Sequence, residues 1–198
     1  MKKKLSEAII NNQIVIIVFV IYVFGLIAGS VCYNSIDSES VKAVTDELLS
    51  FKQKTFTQQL VNDLCLNMTM YFLTFIFGLC CIGLPAVSLM PFLIGIINSV
   101  KISYFYLNYG TKGIGYTLLM ILPGASMFVA VSVLSACDGI DMSRVLFKAA
   151  FRGGSFDKSL AFQYLKEFLF FGIATIVISV LNALLTTSLS SITVSYTH

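Results

Sequence analysis

The hydrophobic positions of this chain form long uncharged runs that are separated by short polar stretches. No charged residue occurs in 8–36, 64–100, 113–137 or 168–198. A helix that crosses the hydrocarbon core of a bilayer needs roughly 20 apolar residues, so the run 64–100 has room for two crossings. The pattern predicts an all-α, polytopic membrane protein with about five transmembrane helices in a single membrane domain, residues 1–198. The predicted spans are residues 13–33, 66–84, 87–108, 114–136 and 167–186.

Glycine and proline mark the boundary between the second and third spans. Gly83 and Pro85 stand there, and a proline cannot continue the preceding helix because it lacks an amide proton. Pro91 and Pro123 are predicted to kink the third and fourth spans. The first span follows a lysine-rich start, as a signal peptide would, but its apolar stretch exceeds the usual length of about 7–15 residues. We therefore predict an uncleaved anchor.

Segment 34–65 is the one sizeable polar piece between spans. Val41, Val44 and Leu48 recur there at helical spacing, which predicts an outer amphipathic helix. Such a helix can dock a partner or lie against the membrane surface. The alternative is a plain solvated connector that packs on the bundle.

Segment 137–166 is predicted to be a basic cytoplasmic loop. Met142 and Leu146 share one face of a predicted helix, and basic side chains share the other. This pattern is typical of an interfacial helix that rests on anionic lipid at the inner face of the membrane. Because lipid accounts for these charges, no nucleic-acid partner is expected. The basic residues of this segment are Arg144, Lys148, Arg152, Lys158 and Lys166.

Composition and charge agree with the membrane assignment. The chain is 57% hydrophobic and 12% charged, with a mean hydropathy of +0.88; soluble domains carry about 25% charged residues. With five spans, Lys2, Lys3 and Lys4 lie on the same side as segment 137–166, and this side holds most of the lysines and arginines. The positive-inside rule then predicts a cytoplasmic N-terminus in the cell membrane, with segment 34–65 outside.

The residues that could carry chemistry do not form a catalytic set. The one histidine is the last residue, His198, so no catalytic triad can be built around a fixed imidazole. The cysteines lack CxxC spacing, although a disulfide between Cys32 and Cys65 near the outer face is an alternative to free thiols. We therefore predict a protein that is not an enzyme and that uses no cofactor and no metal.

Lys101 is a basic residue within an otherwise apolar stretch, where a charge is costly. It can extend its ammonium group outward to the interface, or it can pair with Asp63 or with a backbone carbonyl inside the bundle. A small transporter or permease-like subunit, with Lys101 and the proline-kinked spans along its path, is the alternative function. Gly95, Ser132, Ser135 and Ala136 allow close helix contact and fit either a monomer or a homo-oligomer.

Three short motifs carry a family resemblance. Cys-Ile-Gly-Leu-Pro (81–85) closes the second span, Asn-Tyr-Gly-Thr-Lys-Gly (108–113) follows the third, and Leu-Leu-Met-Ile-Leu-Pro (118–123) lies in the fourth. Their order and spacing resemble the stage II sporulation protein M family. Many members carry His-Gly after this Leu-Pro and then a glutamate, whereas Gly124, Ala125 and Phe128 stand here.

The resemblance implies a polytopic protein of the mother-cell membrane during engulfment. It implies a scaffold, without hydrolysis of its own, that holds two peptidoglycan-degrading enzymes, the sporulation proteins D and P. Segment 34–65 is then the expected contact for these enzymes.

Overall fold

The computed structural model describes residues 2–35, 55–80, 83–152 and 158–197. Within them the chain is helical and contains no strand, because uncharged apolar runs of this length satisfy their backbone inside a helix. A π-helix, Thr117–Ile121, joins α3 to α4. The long helices are α1 (Lys2–Ser35), α2 (Phe56–Gly78), α3 (Leu84–Tyr116), α4 (Leu122–Arg152) and α5 (Lys158–Thr197).

Each of these helices contains a stretch long and apolar enough to cross a membrane. The stretches are Gln13–Tyr33, Phe56–Gly78, Leu84–Leu107, Leu122–Phe151 and Ser159–Ser188. The predicted all-α, multi-pass fold is therefore confirmed. We call the end at which α1, α3 and α5 begin the amino-terminal end of the bundle, and the end at which α2 and α4 begin the opposite end.

Two boundaries differ from those expected from the sequence. The second span starts at Phe56 rather than near residue 66, because Asp63 is buried between helices and does not end the apolar crossing. The fourth span starts at Leu122 and its helix runs to Arg152. Residues 137–152 therefore continue α4 instead of forming a loop with its own interfacial helix, since no glycine pair or proline interrupts them before residue 153. Between the third and fourth spans, α3 is broken at Gly110, whose φ of 56° is a conformation that favours glycine.

Glycines set the distance between α1 and α3. A Cβ on Gly25 would overlap the carbonyl oxygen of Phe92, and one on Gly95 would overlap the carbonyl oxygen of Tyr22. A Cβ on Gly29 would lie 2.9 Å from the Cα of Ile96. The two backbones therefore touch along this crossing, which is the use that membrane helices make of small residues.

The buried core lies between α1, α3, α4 and α5. Val18, Val87 and Ala136 are almost fully enclosed there, with Ile94 and Ile178 beside them. Large apolar side chains on the outer helix faces, in contrast, remain exposed, as expected for a protein whose surface contacts lipid. Because every helix buries one face and exposes another, polar residues on the buried faces can meet inside the bundle.

The turn between α2 and α3 depends on Gly83 and Pro85. Gly83 precedes α3 and Pro85 lies in its first turn, where its missing N–H costs nothing. The amide of Gly83 donates to the carbonyl of Cys80 at 3.0 Å, and a Cβ on Gly83 would overlap the carbonyl oxygen of Phe77. The two predicted boundary residues therefore form a tight turn between consecutive spans.

Gly83→Ala is expected to lower the free energy of unfolding by about 1–3 kcal/mol, because the added methyl group overlaps backbone that cannot move independently. Gly172→Ala is the matched control, since a Cβ there would meet only Tyr71 Cε1 at 3.5 Å. Helix content followed by circular dichroism during SDS titration in mixed micelles measures both variants. Equal stability of Gly83→Ala and Gly172→Ala would contradict the tight turn.

Candidate functional site

A row of polar side chains lies along one face of α2, in the half near the opposite end of the bundle. Gln59, Asp63 and Asn67 are spaced four residues apart, so they lie above one another on the helix surface. They face α5, where Ser179 and Asn182 are three residues apart. We call these five residues the α2–α5 polar network.

Asp63 is the centre of this network. Its side chain is 5% exposed although it lies inside a membrane-spanning stretch. Its Oδ2 accepts hydrogen bonds from Asn182 Nδ2 at 2.7 Å and from Gln59 Nε2 at 3.1 Å. Among the residues that the structure describes, no lysine or arginine pairs with it. A buried carboxylate is costly in a membrane, and these two amide donors offset part of that cost.

The third bond of the network joins two neutral side chains. Asn67 Nδ2 donates to Ser179 Oγ at 3.1 Å, one turn further along α2 than Asp63. Asp63 was among the predicted site residues, whereas Gln59, Asn67, Ser179 and Asn182 were not. A signal was present: polar residues four apart on α2 and three or four apart on α5, each within an apolar helix, indicate a buried polar face on each helix but not which two faces meet.

Asn182 also contacts the beginning of α4. A Cβ on Gly124 would overlap Asn182 Oδ1, so the glycine is what allows this amide to fit against α4. Within the described part of the chain, Asn182 Oδ1 is buried and accepts no hydrogen bond. Asn182 is therefore packed among three helices, bonded to α2 by its nitrogen and in contact with α4 through its oxygen.

An aromatic column continues the α2–α5 contact toward the amino-terminal end. Tyr71 stacks on Phe168 with ring centroids 4.9 Å apart, and Phe75 stacks on Tyr164 at 5.2 Å. Both tyrosine hydroxyls are satisfied by the facing helix: Tyr71 donates to the carbonyl of Phe168, and Tyr164 donates to the carbonyl of Phe75 at 3.4 Å. Polar bonds at one end and aromatic stacking at the other thus hold α2 against α5 along most of its length.

Lys101 does not join the network. It lies in the α3 span, about 9 Å from the span's end at Leu107, and its side chain is half-buried. It forms no ion pair with a residue that the structure describes, and the carboxylate of Asp63 is bonded to Gln59 and Asn182 instead. The alternative pairing of Lys101 with Asp63 is therefore wrong.

The structure also bears on the predictions made for Pro123 and for the pair Cys32 and Cys65. Pro123 is the second residue of α4, directly after the π-helix, so it does not kink the middle of the fourth span. Cys32 and Cys65 are both free thiols, so the alternative of a disulfide between them is not realised. Val41, Val44 and Leu48 lie outside the described residues.

The bonds of the α2–α5 polar network hold two membrane spans together. Two amides, one hydroxyl and one carboxylate form two bonds between α2 and α5, and the amide of Gln59 bonds Asp63 within α2. In the described part of the chain, no three histidine, cysteine or acidic residues come close enough to hold a metal ion. What the arrangement provides is a fixed position for the beginning of α2, which follows residues 36–54 of the predicted segment 34–65.

Comparison with protein families agrees with this reading of the spans and motifs. The family model for stage II sporulation protein M matches residues 17–191, which includes every membrane-spanning stretch at least in part. Comparison with curated proteins and with solved structures gave no match. The match extends over most of the chain and contains all three motifs on which the resemblance was based. This chain therefore belongs to the stage II sporulation protein M family.

Proposed function

We propose that this protein is a membrane scaffold that recruits or positions peptidoglycan-degrading enzymes during sporulation engulfment, without catalysis of its own. The observation that carries the proposal is the family match over residues 17–191. The sporulation proteins D and P are the proposed partners. In this proposal the N-terminus is cytoplasmic, the membrane is that of the mother cell, and the opposite end of the bundle faces outward.

The beginning of α2 supports the proposal physically. A scaffold must present its docking segment at a fixed place, and residues 36–54 of the predicted docking segment 34–65 lead directly into Thr55 and α2. The amide of Thr55 donates to Gln58 Oε1 at 3.2 Å, which fixes the first turn of α2. Two turns further on, Asp63 bonds Asn182 and so ties this turn to α5. The docking segment is thereby attached to the bundle at a rigid point.

A shallow, largely apolar depression adjoins this point on the exposed side of α2. It has a volume of about 430 Å³ and is lined by Thr57, Gln58, Val61, Asn62 and Cys65. Because it lies at the beginning of α2, the depression continues the proposed docking surface from residues 36–54 onto the bundle itself.

Photo-crosslinking in sporulating cells tests the proposal. A benzophenone amino acid at Val44 or at Leu48 is expected to give adducts that contain sporulation protein D or P, because both positions lie on the apolar face of the predicted docking helix. The same amino acid at Ile173, which is exposed in the middle of the α5 span, is the control and should give no such adduct. Adducts with neither enzyme from both docking positions, while the protein is expressed and inserted, would overturn the scaffold proposal.

A small transporter is the second candidate, and the half-buried Lys101 favours it. The side chain forms no ion pair with any described residue, so its ammonium group is available to a passing anion. A transport role predicts that Lys101→Ala abolishes anion uptake into liposomes that contain the protein. The scaffold role predicts that Lys101→Ala leaves the crosslinks at Val44 and Leu48 unchanged. It also predicts no anion uptake into liposomes with either the variant or the unsubstituted protein.

A further inference from the structure

A groove opens between α1, α3 and α4 at the amino-terminal end of the bundle, away from the α2–α5 polar network. Its volume is about 250 Å³. Ile14 and Ile21 bound it on α1, Pro85 and Ser88 on α3, and Ile140 and Arg144 on α4. The lining is therefore mostly apolar, with the hydroxyl of Ser88 within it and one cation at its edge.

The dimensions of the groove fit the inner part of one lipid leaflet. Ile14 and Ile21 are seven residues apart on α1, which corresponds to roughly 10 Å along the helix. Ile14 lies next to the start of the first span at Gln13, so the groove begins at the membrane boundary. Half of the hydrocarbon core is about 15 Å thick. An acyl chain that enters from the boundary can therefore lie along most of its leaflet within this groove.

Arg144 is placed where the headgroup of such a lipid would be. Its side chain is 45% exposed, and its one bond to a described residue is from Nη1 to Asp141 Oδ1 at 3.3 Å. A guanidinium has five N–H donors in a planar fork that matches two phosphate oxygens. Most of its donors are thus free to bind a phosphate. Lys148 follows one turn later on α4 and is exposed, so a second positive charge stands on the same helix beyond Arg144.

We propose that this groove binds one acyl chain of an anionic phospholipid, with the headgroup phosphate on Arg144. A free inorganic anion does not account for the groove, because such an anion would bind at Arg144 and leave the apolar part of the groove empty. The single arginine at the edge favours an anionic lipid over a zwitterionic one, because the phosphate is not neutralised by a cation of its own headgroup.

The chain contains no tryptophan, so a single introduced indole reports lipid contact without background. Ile17 lines the groove and is 58% exposed at its rim, so Ile17→Trp places the reporter beside the proposed acyl chain. Phe72→Trp is the matched control: Phe72 is exposed on α2, roughly 9 Å from the end of that span at Gly78, a depth similar to that of Ile17. The full chain is reconstituted in vesicles that contain brominated phosphatidylglycerol or brominated phosphatidylcholine, and quenching gives the relative affinity for the two lipids.

At Ile17→Trp we expect phosphatidylglycerol to be preferred about fivefold, which is the contribution of one basic residue near an anionic headgroup. At Phe72→Trp we expect the ratio of the affinities for phosphatidylglycerol and phosphatidylcholine to be close to one. Arg144→Gln should reduce the preference for phosphatidylglycerol that Ile17→Trp reports to the value that Phe72→Trp reports. Added inorganic phosphate should not displace the lipid from the groove. Where Arg144→Gln fails to fold by circular dichroism, Arg144→Lys should weaken the preference because it loses the planar fork. Equal preferences at the two reporters, full retention of the preference in the folded Arg144 variant, or displacement by inorganic phosphate would each overturn the proposal.

Discussion

Gly25→Ala is expected to separate α1 from α3 and to lower the free energy of unfolding by about 3 kcal/mol, at the upper end for an overpacked contact. The reason is that the new methyl group meets the carbonyl oxygen of Phe92, which belongs to a helix backbone and cannot rotate away. The facing Gly95 contacts the backbone of α1 in the same manner. A local side-chain rearrangement therefore cannot absorb the change.

Gly115→Ala is the control for this prediction. Gly115 lies in α3, and a Cβ there meets nothing within 4 Å. The same substitution should therefore raise stability by up to about 1 kcal/mol through helix propensity alone. SDS titration in mixed micelles measures both variants, and the prediction is contradicted if both shift the transition in the same direction.

The second large effect is expected in the α2–α5 polar network. Asn182→Ala removes the 2.7 Å bond to Asp63 and leaves the buried carboxylate with Gln59 as its one described donor. A hydrogen bond to a charged group contributes about 1.5–3 kcal/mol, and we expect a loss of stability in that range. Asp63→Ala leaves the amide of Asn182 unpaired but also removes the cost of a buried carboxylate, so it should lower stability less than Asn182→Ala does.

A double-mutant cycle isolates the bond from other effects of the two substitutions. The variant with both Asp63→Ala and Asn182→Ala should be more stable than the sum of the single effects predicts, by about 1–3 kcal/mol. The Asn67–Ser179 pair is the matched control, because it joins the same helices by a neutral bond of 3.1 Å. Its coupling should be near the average of about 0.6 kcal/mol for polar pairs in membrane helices. A coupling for Asp63–Asn182 no greater than that of the control pair would refute the anchoring role of Asp63.

The number of crossings could be predicted from the sequence because run length and charge are local properties. Gln13–Tyr33 coincides with the predicted first span, and Leu84–Leu107 nearly coincides with the third. The second span was predicted too short because Asp63 was treated as a residue of the polar segment. Asp63 is bonded to Asn182, 119 residues away, and a single sequence does not show which of two such distant positions lie together.

The errors near residue 137 and at Pro123 have a similar origin. Segment 137–166 was predicted to be separate from the fourth span because the uncharged run ends at Cys137, but α4 continues to Arg152 since charge alone does not end a helix. Pro123 was placed in mid-span, whereas the π-helix before it shifts the beginning of α4 to Leu122. The glycines of α1 did carry a readable signal: Gly25 and Gly29 are four residues apart, the spacing of close helix contacts in membranes.

The pairing of Asp63 with Asn182 also fixes an order of events during synthesis. The ribosome makes α2 before α5, and the two bonded residues are separated by 119 positions. At about 5–20 residues per second, α2 enters the membrane roughly 6–24 seconds before the helix that supplies its main donor. During that interval the carboxylate of Asp63 lacks its shortest bond, and a chain that stops short of α5 never acquires it. Completion of the last helix is therefore the step that makes the second helix stable in the bilayer.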